Sequence, residues 1–391
     1  MFGDHVISTA GRVYWTAGNT SSSAWTPITL ATADGGLGAP LDNVVSGVQS
    51  QFHACALRQT GTVWCWATGS PGTTSHGELG DGTLIWPTNM FVATEVLANM
   101  GEGPIDLAGI KSLMADSENF YGRPTCAIDT AGHLWCWGPI YPAAGGTTLL
   151  INNSLASPAN GASPYAVMIA ASAAASDTLT NVTAVSAGDS QICIIRSGAV
   201  QCWGVNTYGG LGTATKTGGS TADSSYPVAV AGLPSSPAPS QISVSNGLAC
   251  ALLGDQVYCW GSSAYGAIGT GNDSSLDCMG IGHPCQPAGT PVQMAQGDAG
   301  GPTLTGVAHI YAGYSFGCAI TTGAALWCWG DTGNGSALNA QPFALSAGGS
   351  PSNVVAYTSR TSGGFIPNAR FALADGTYYV GATNHAVVSC P

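Results

Sequence analysis

Charged residues are scarce in this chain. Asp, Glu, Lys and Arg make up 7% of its 391 residues, against about a quarter in an ordinary soluble domain. Only eight are Lys or Arg, the formal net charge is −12, and no basic run occurs. Affinity for nucleic acid scales with the cations that displace phosphate counterions, so nucleic acid is excluded as a partner. Long apolar runs are missing too. A bilayer span needs about 18 consecutive apolar residues, and the Ala-rich stretch Met168 to Ala175 is short and interrupted by Ser172, so no membrane span is expected. The opening residues Met-Phe-Gly-Asp-His-Val have neither a basic nor an apolar signal region, which sets the expectation of a mature chain or of release with a virus particle.

Signatures of chemistry are equally absent. There is no His-Glu-x-x-His, nucleophile elbow, Walker sequence or Rossmann fingerprint. The seven histidines are scattered, His53 and His133 falling at strand positions of the repeat described below, and Asp81, Asp273 and Asp277 do not match the spacing of a calcium loop. No catalytic, cofactor-binding or metal-binding residues are therefore assigned, and a non-enzyme is expected.

What the chain has is glycine, hydrophobic residues and cysteine. With 45% hydrophobic residues and 56 Gly it is too apolar for a disordered chain, and it takes its solubility from Ser, Thr, Asn and backbone groups. One phrase returns along it: Cys-Ala-Leu, a Gly-bearing turn, then Trp-Cys-Trp. Clear copies run Cys55 to Trp66, Cys126 to Gly138, Cys193 to Gly204, Cys250 to Gly261 and Cys318 to Gly330, with worn copies at His5 to Trp15 and Phe371 to Gly381. Units that each place two short apolar runs about a tight turn, spaced roughly fifty to seventy residues apart, are the signature of radial β repetition. Repeats that bury a face only against their neighbours form one body. The expectation is an all-β chain: one seven-bladed β-propeller domain over 1–391, with four-stranded antiparallel blades and repeat cores near 5–30, 44–92, 110–167, 182–230, 241–294, 307–345 and 354–390.

The repeat also pairs the cysteines. Cys55 with Cys65, Cys126 with Cys136, Cys193 with Cys202, Cys250 with Cys259, and Cys318 with Cys328 occupy the same two positions in five units, and the worn units lack both. Independent losses would rarely coincide, so the positions behave as bonded pairs. Across a tight turn they face each other on adjacent antiparallel strands, at Cα separations of about 4.5 to 5.5 Å that a disulfide tolerates. Zinc fits poorly, because the spacing is wrong and two-ligand half-sites would be scattered. One disulfide per well-preserved blade is expected, and with it an oxidising location: extracellular, cell surface or virion exterior. Cys278 and Cys285, flanking His283, read as a small stapled loop, and Cys390 is unpaired or intermolecular.

Within unit four the strands are expected at Val182 to Ala187, Gln191 to Ile195, Ala199 to Trp203 and Pro227 to Val230. Gly61, Gly132, Gly198 and Gly323 mark the hairpin between the second and third strands, where a positive φ is needed. A second Gly-rich phrase follows the third strand at His76 to Gly80, Tyr208 to Gly212 and Tyr265 to Gly269; it has neither a following helix nor a Lys partner, which excludes a phosphate cradle. Leu79, Leu211 and Ile268 are expected to plug between blades, and Trp66, Trp137, Trp203, Trp260 and Trp329 to pack there. Aromatic residues in irregular segments, Trp25, Trp86, Tyr121, Tyr141 and Tyr165, are the candidate contacts with a partner.

The Cys55 to Thr83 segment, Cys-Ala-Leu…Gly-Thr-Val-Trp-Cys-Trp then Gly-Glu-Leu-Gly-Asp-Gly-Thr, resembles the repeat of the regulator-of-chromosome-condensation family. The resemblance spans essentially the whole chain, five units strongly and two weakly. It implies a seven-bladed propeller; secreted bacterial relatives include proteinaceous β-lactamase inhibitors, and the within-blade Cys pair is similar to that of bacterial and environmental members. The nuclear member of the family exchanges nucleotide on a small GTPase and docks on nucleosomes through a basic tail, which this acidic chain lacks. Leu84 to Gly109, Pro139 to Thr180 and Asn272 to Thr303 stand out as inserts where a partner surface is expected. Unit one lacks a first strand, so either the far end supplies it or Ala386 to Cys390 forms the fourth strand of the last unit; the termini are expected side by side. The function expected is non-catalytic recognition of, or adhesion to, a protein or glycan through rim loops. The alternative is a structural subunit of a virion, filament or surface layer, with homo-oligomers or larger assemblies.

Overall fold

The computed structural model describes residues 5–15, 26–32, 36–50, 52–68, 75–87, 89–115, 124–140, 150–152, 161–174, 177–188, 191–206, 208–213, 222–245, 247–271, 285–296, 299–331, 336–342, 354–359, 369–373, 378–380 and 383–385. Among them the regular structure is strand, apart from one 3-10 turn at Ala264–Gly266. The chain divides into two compact units, Met1–Val182 with Ser389–Pro391, and Thr183–Val388.

Unit one holds three sheets. Blade one has three strands, His5–Ile7, Val13–Trp15 and Thr26–Pro27. Blade two runs Val44–Gln49, His53–Arg58, Val63–Ala67 and Val92–Glu95; blade three runs Ile110–Met114, Thr125–Asp129, Leu134–Pro139 and Ala162–Met168. Unit two holds four sheets. Blade four is Val182–Ala187, Gln191–Arg196, Ala199–Gly204 and Ser224–Ala229, the last starting three residues before its expected place. Blade five is Pro239–Val244, Leu248–Leu253, Gln256–Ser262 and Cys285–Pro291; blade six is Val307–Ala312, Phe316–Thr321, Leu326–Asp331 and Ser336–Pro342. Blade seven is Val354–Ser359, Ala369–Leu373, Tyr378–Val380 and Thr383–His385. Its fourth strand precedes the expected Ala386 to Cys390, because Thr383 already pairs with Val380; 386–390 lie outside the described residues.

Burial explains the pattern of each strand. Second strands are continuous apolar runs, such as Ala54 to Leu57 or Leu248 to Leu253, because both of their faces are covered. First strands alternate weakly and leave one face open, as at Val45. The hairpin joining strands two and three takes positive φ at Gly61 (83°), Gly132 (86°) and the Ser197-Gly198 pair (51° and 77°). At the fifth Cys-paired unit the expected Gly323 yields to Ala324 (φ 58°).

These hairpins also hold the next blade. Gly11, Gly61 and Gly132 accept hydrogen bonds at their carbonyls from Val44, Ile110 and Val182, the opening residues of the following first strands, at 2.9, 3.0 and 2.9 Å. A Cβ on Gly61 or Gly132 would come within 3.1 Å of the neighbouring backbone nitrogen, so the glycines serve approach as well as turning.

Parts of the expected inserts form strands. Leu84 to Gly109 supplies the fourth strand of blade two and then a hairpin, Leu97–Asn99 with Pro104–Asp106, that pairs in parallel with the fourth strand of blade three through Ala98 and Ala166. Thr29–Ala31 with Leu37–Pro40 clamps blade two in the same way, and Gln293–Gln296 with Ala299–Thr303 clamps blade six. Each clamp extends a sheet to six strands and leaves a new edge. That edge carries Pro40, Pro104 or Pro302, a residue that cannot donate to a further strand.

Candidate functional site

Five disulfides join the second and third strands: Cys55–Cys65, Cys126–Cys136, Cys193–Cys202, Cys250–Cys259 and Cys318–Cys328, each with Cα atoms 4.1 Å apart and directly paired in register. All ten sulfurs belong to buried residues. Cys285 is buried and disulfide-bonded; Cys278 and Cys390 lie outside the described residues.

The tryptophan after each pair is fully buried, and Trp66, Trp137, Trp260 and Trp329 reach into the preceding blade. The indole N–H of Trp137 donates to the Glu78 carbonyl (3.1 Å), that of Trp260 to Gly210 (2.8 Å) and that of Trp329 to Ala267 (2.9 Å). Leu79, Leu211 and Ile268 are buried in the same clusters. Gly80, Gly212 and Gly269 make room: a Cβ on any of them would meet the indole Cδ1 at 2.9 to 3.0 Å. In blade one a side chain receives the indole. Trp66 donates to His5 Nε2 at 2.9 Å, which leaves Nδ1 as the protonated nitrogen facing Gln49 Oε1 at 2.9 Å.

A polar node sits between blades two and three. His53 is fully buried with Nε2 2.6 Å from Thr125 Oγ1, and burial, partly opposed by the charge of Glu78, lowers its pKa to about 4. Burial pushes the Glu78 carboxyl up, but hydrogen bonds from His76 and Ser75 and the neighbouring His53 carry it below its ordinary value. The hydrogen bond to Glu78 raises His76. Sister positions show what the node does. Where blade two has His53 and Glu78, blade four has Gln191 and Gly210, and blade five has Leu248 and Ala267. The Gln191 carboxamide lies where a Cβ on Gly210 would stand, so in blade four a large group faces a glycine, whereas in blade two both positions carry polar side chains hydrogen-bonded to their neighbours. Among the described residues no three His, Cys, Asp or Glu are grouped to hold a metal.

Of the candidate contacts, Trp25, Tyr121 and Tyr141 lie outside the described residues. Trp86 is buried in the blade two and three core at 8% exposure and offers no free face. Tyr165 is half-buried, its ring lying over Gly82, where a Cβ would be 2.7 Å from Cε1. Among the described residues the exposed tyrosines are others, Tyr265 at 55% and Tyr314 at 47%. Tyr265 opens the same Gly-rich phrase as Tyr208 and His76, a position whose neighbours Leu79, Leu211 and Ile268 turn inward, and only the fold separates the inward from the outward members.

The profile of the regulator of chromosome condensation (RCC1) repeat matches residues 197–252. Among solved structures, human WBSCR16 superposes with a TM-score of 0.55 at 14% identity, covering 88% of this chain and 78% of that one. Yeast RCC1 (Prp20) bound to Kap60 gives 0.47 at 13% identity over 78% and 75%, and the ectodomain of the Arabidopsis thaliana receptor kinase ACR4 gives 0.35 at 16% over 85% and 79%. No curated protein matches the chain in sequence. The chain thus contains an RCC1-like repeat, and its fold class is all-β, of propeller type with disulfides inside the blades.

Proposed function

We propose that this RCC1-like chain is a non-catalytic recognition propeller, one domain over 1–391, that meets a protein or glycan partner through its rim loops in an extracellular or surface setting. The observation that carries the reading is the fate of the polar side chains in the blade interiors. His5, His53, Glu78 and the five indoles are engaged with neighbouring blades or in the packed core, while among the described residues the exposed tyrosines, Tyr265 and Tyr314, stand in turns between strands. Five buried disulfides suit an oxidising compartment, and among the described residues no helix is long and apolar enough to cross a membrane. A scaffold locked in this way presents loops with little ordering cost on binding. The test is capture: the purified protein, immobilised with disulfides intact, should retain a partner from its native surroundings, and reduction should abolish retention.

The second reading, an assembly subunit, is favoured by Leu37, Met100 and Ile105, exposed apolar residues on the clamp hairpins. Under that reading the protein elutes as an oligomer whose size changes with reductant; under the first it elutes as a monomer.

A further inference from the structure

Tyr265 is held in an unusual backbone state. Its φ and ψ are 58° and 20°, the left-handed region that glycine enters freely and that a Cβ disfavours. Other non-glycine residues there are small or turn-forming, Asn43, Asn181, Ser197 and Ala324; Tyr265 is the one aromatic among the described residues. The glycine that follows is left-handed in all three units, Gly77 (83°), Gly209 (72°) and Gly266 (77°), but at the matching positions His76 and Tyr208 do not share the positive φ, so the departure is confined to Tyr265. Burial does not compensate, because more than half of the side chain is exposed. Strain retained at an exposed aromatic, where Gly or Asn would fold more cheaply, points to a use outside the fold.

Tyr314 lies nearby in the topology. Tyr265 sits in the turn whose Ala267 carbonyl receives the Trp329 indole, and Tyr314 in the turn whose Ser315 carbonyl receives the Asp331 amide at 3.0 Å. Both turns are therefore fastened to the end of the same strand, Leu326–Asp331, within unit two. Neither 261–271 nor 311–317 contains a single Asp, Glu, Lys, Arg or His. Ser263, two residues before Tyr265, is buried with its hydroxyl unpaired.

We propose that Tyr265 and Tyr314 form an aromatic platform for a neutral glycan, a deepening that rests on the recognition reading above. Protein interfaces are enriched in Arg as well as in aromatic residues, and these turns have no Arg. A neutral sugar ring needs what they offer: a π-face for its weakly positive C–H face, and surrounding hydroxyl and backbone groups for its own hydroxyls.

The experiment uses the full-length, oxidised protein on a printed array of neutral oligosaccharides: β-glucans, chito-oligosaccharides, galactans and mannans. Retention on a subset is expected, insensitive to salt because no ion pair is involved. Tyr265→Gly should weaken that retention by about tenfold or more while leaving the melting temperature unchanged or raised, since glycine accepts the backbone state. Tyr314→Ser should lose binding likewise, Tyr265→Phe should keep it, and Met100→Ser, on a distant hairpin, should bind as the parent does. A silent array overturns the proposal. So does a Tyr265→Gly protein that binds normally, or one that melts far lower and so reveals a structural role. A silent array with intact capture of a polypeptide leaves the recognition reading standing; a protein that captures neither overturns both.

Discussion

His53 offers a sharp test of how blades two and three are pinned. The unfolded imidazole titrates near 6.5 and the buried one at about 4, so between those values the folded protein binds fewer protons than the unfolded chain. Stability is then full above about pH 6.5, declines as the pH falls through the window, and levels off below about 4. The whole window is worth about 3 kcal/mol, and about 2 kcal/mol of it is lost between pH 7.5 and 5. Thr125, Glu78 and His76 surround the ring or its partner. Glu78, held low, stays ionised across this range, whereas His76, held high, contributes in the opposite sense: its share is present at low pH and fades as the pH rises through its folded pKa. The variant His53→Gln removes one titration only, and glutamine already fills the sister position at Gln191. Equilibrium denaturation of both proteins at the two pH values, disulfides intact, gives the double difference. The parent should lose about 2 kcal/mol more than the variant on acidification. Equal losses would refute the assignment of the pH response to a buried neutral imidazole.

Three further outcomes follow from the geometry. Gly269→Ala puts a Cβ at φ 73°, 2.9 Å from Val292 Cγ1 and 3.0 Å from Trp329 Cδ1; left-handed strain and overpacking together should cost about 2 to 4 kcal/mol by denaturant midpoint. Replacing Cys193 and Cys202 together by Ala opens a loop with a sequence separation of 9 and should cost about 2.5 kcal/mol in the chain-entropy account, measured as the same midpoint shift. Pro104→Val restores an amide donor to an exposed sheet edge beside Ile105 and should raise self-association in sedimentation velocity without lowering thermal stability.

The blade interior could be read directly from the chain because its constraints are local. Cys250 and Cys259 flank one hairpin, so their pairing needs only the turn at Gly254, and the coincidence of such pairs in five units made them a bonded set. The socket around Trp329 was readable for a related reason: Ile268 and Gly269 recur at a constant place in the repeat. The clamps were not readable. Leu84 to Gly109 carries no repeat of its own, and a parallel pairing such as Ala98 with Ala166 depends on residues far apart in sequence. Trp86 illustrates the same limit, since an aromatic in an irregular segment reads as a surface contact until a neighbouring sheet is seen to cover it.

By itself the amino-acid order determined the strand class, the number of units, the five within-blade cysteine pairs and the inward tryptophans, because each depends on spacing within about a dozen residues and repeats until chance is excluded. The tertiary structure alone decided which loop residues are spent on neighbours and which remain outside. His5 became an acceptor for Trp66, Trp86 became core, and Tyr265 and Tyr314 were left exposed. The physical reason is that burial belongs to whatever packs across from a residue, and in a chain of stacked sheets that partner sits some 50 to 70 positions away, as Trp260 and Gly210 or Trp66 and His5 show.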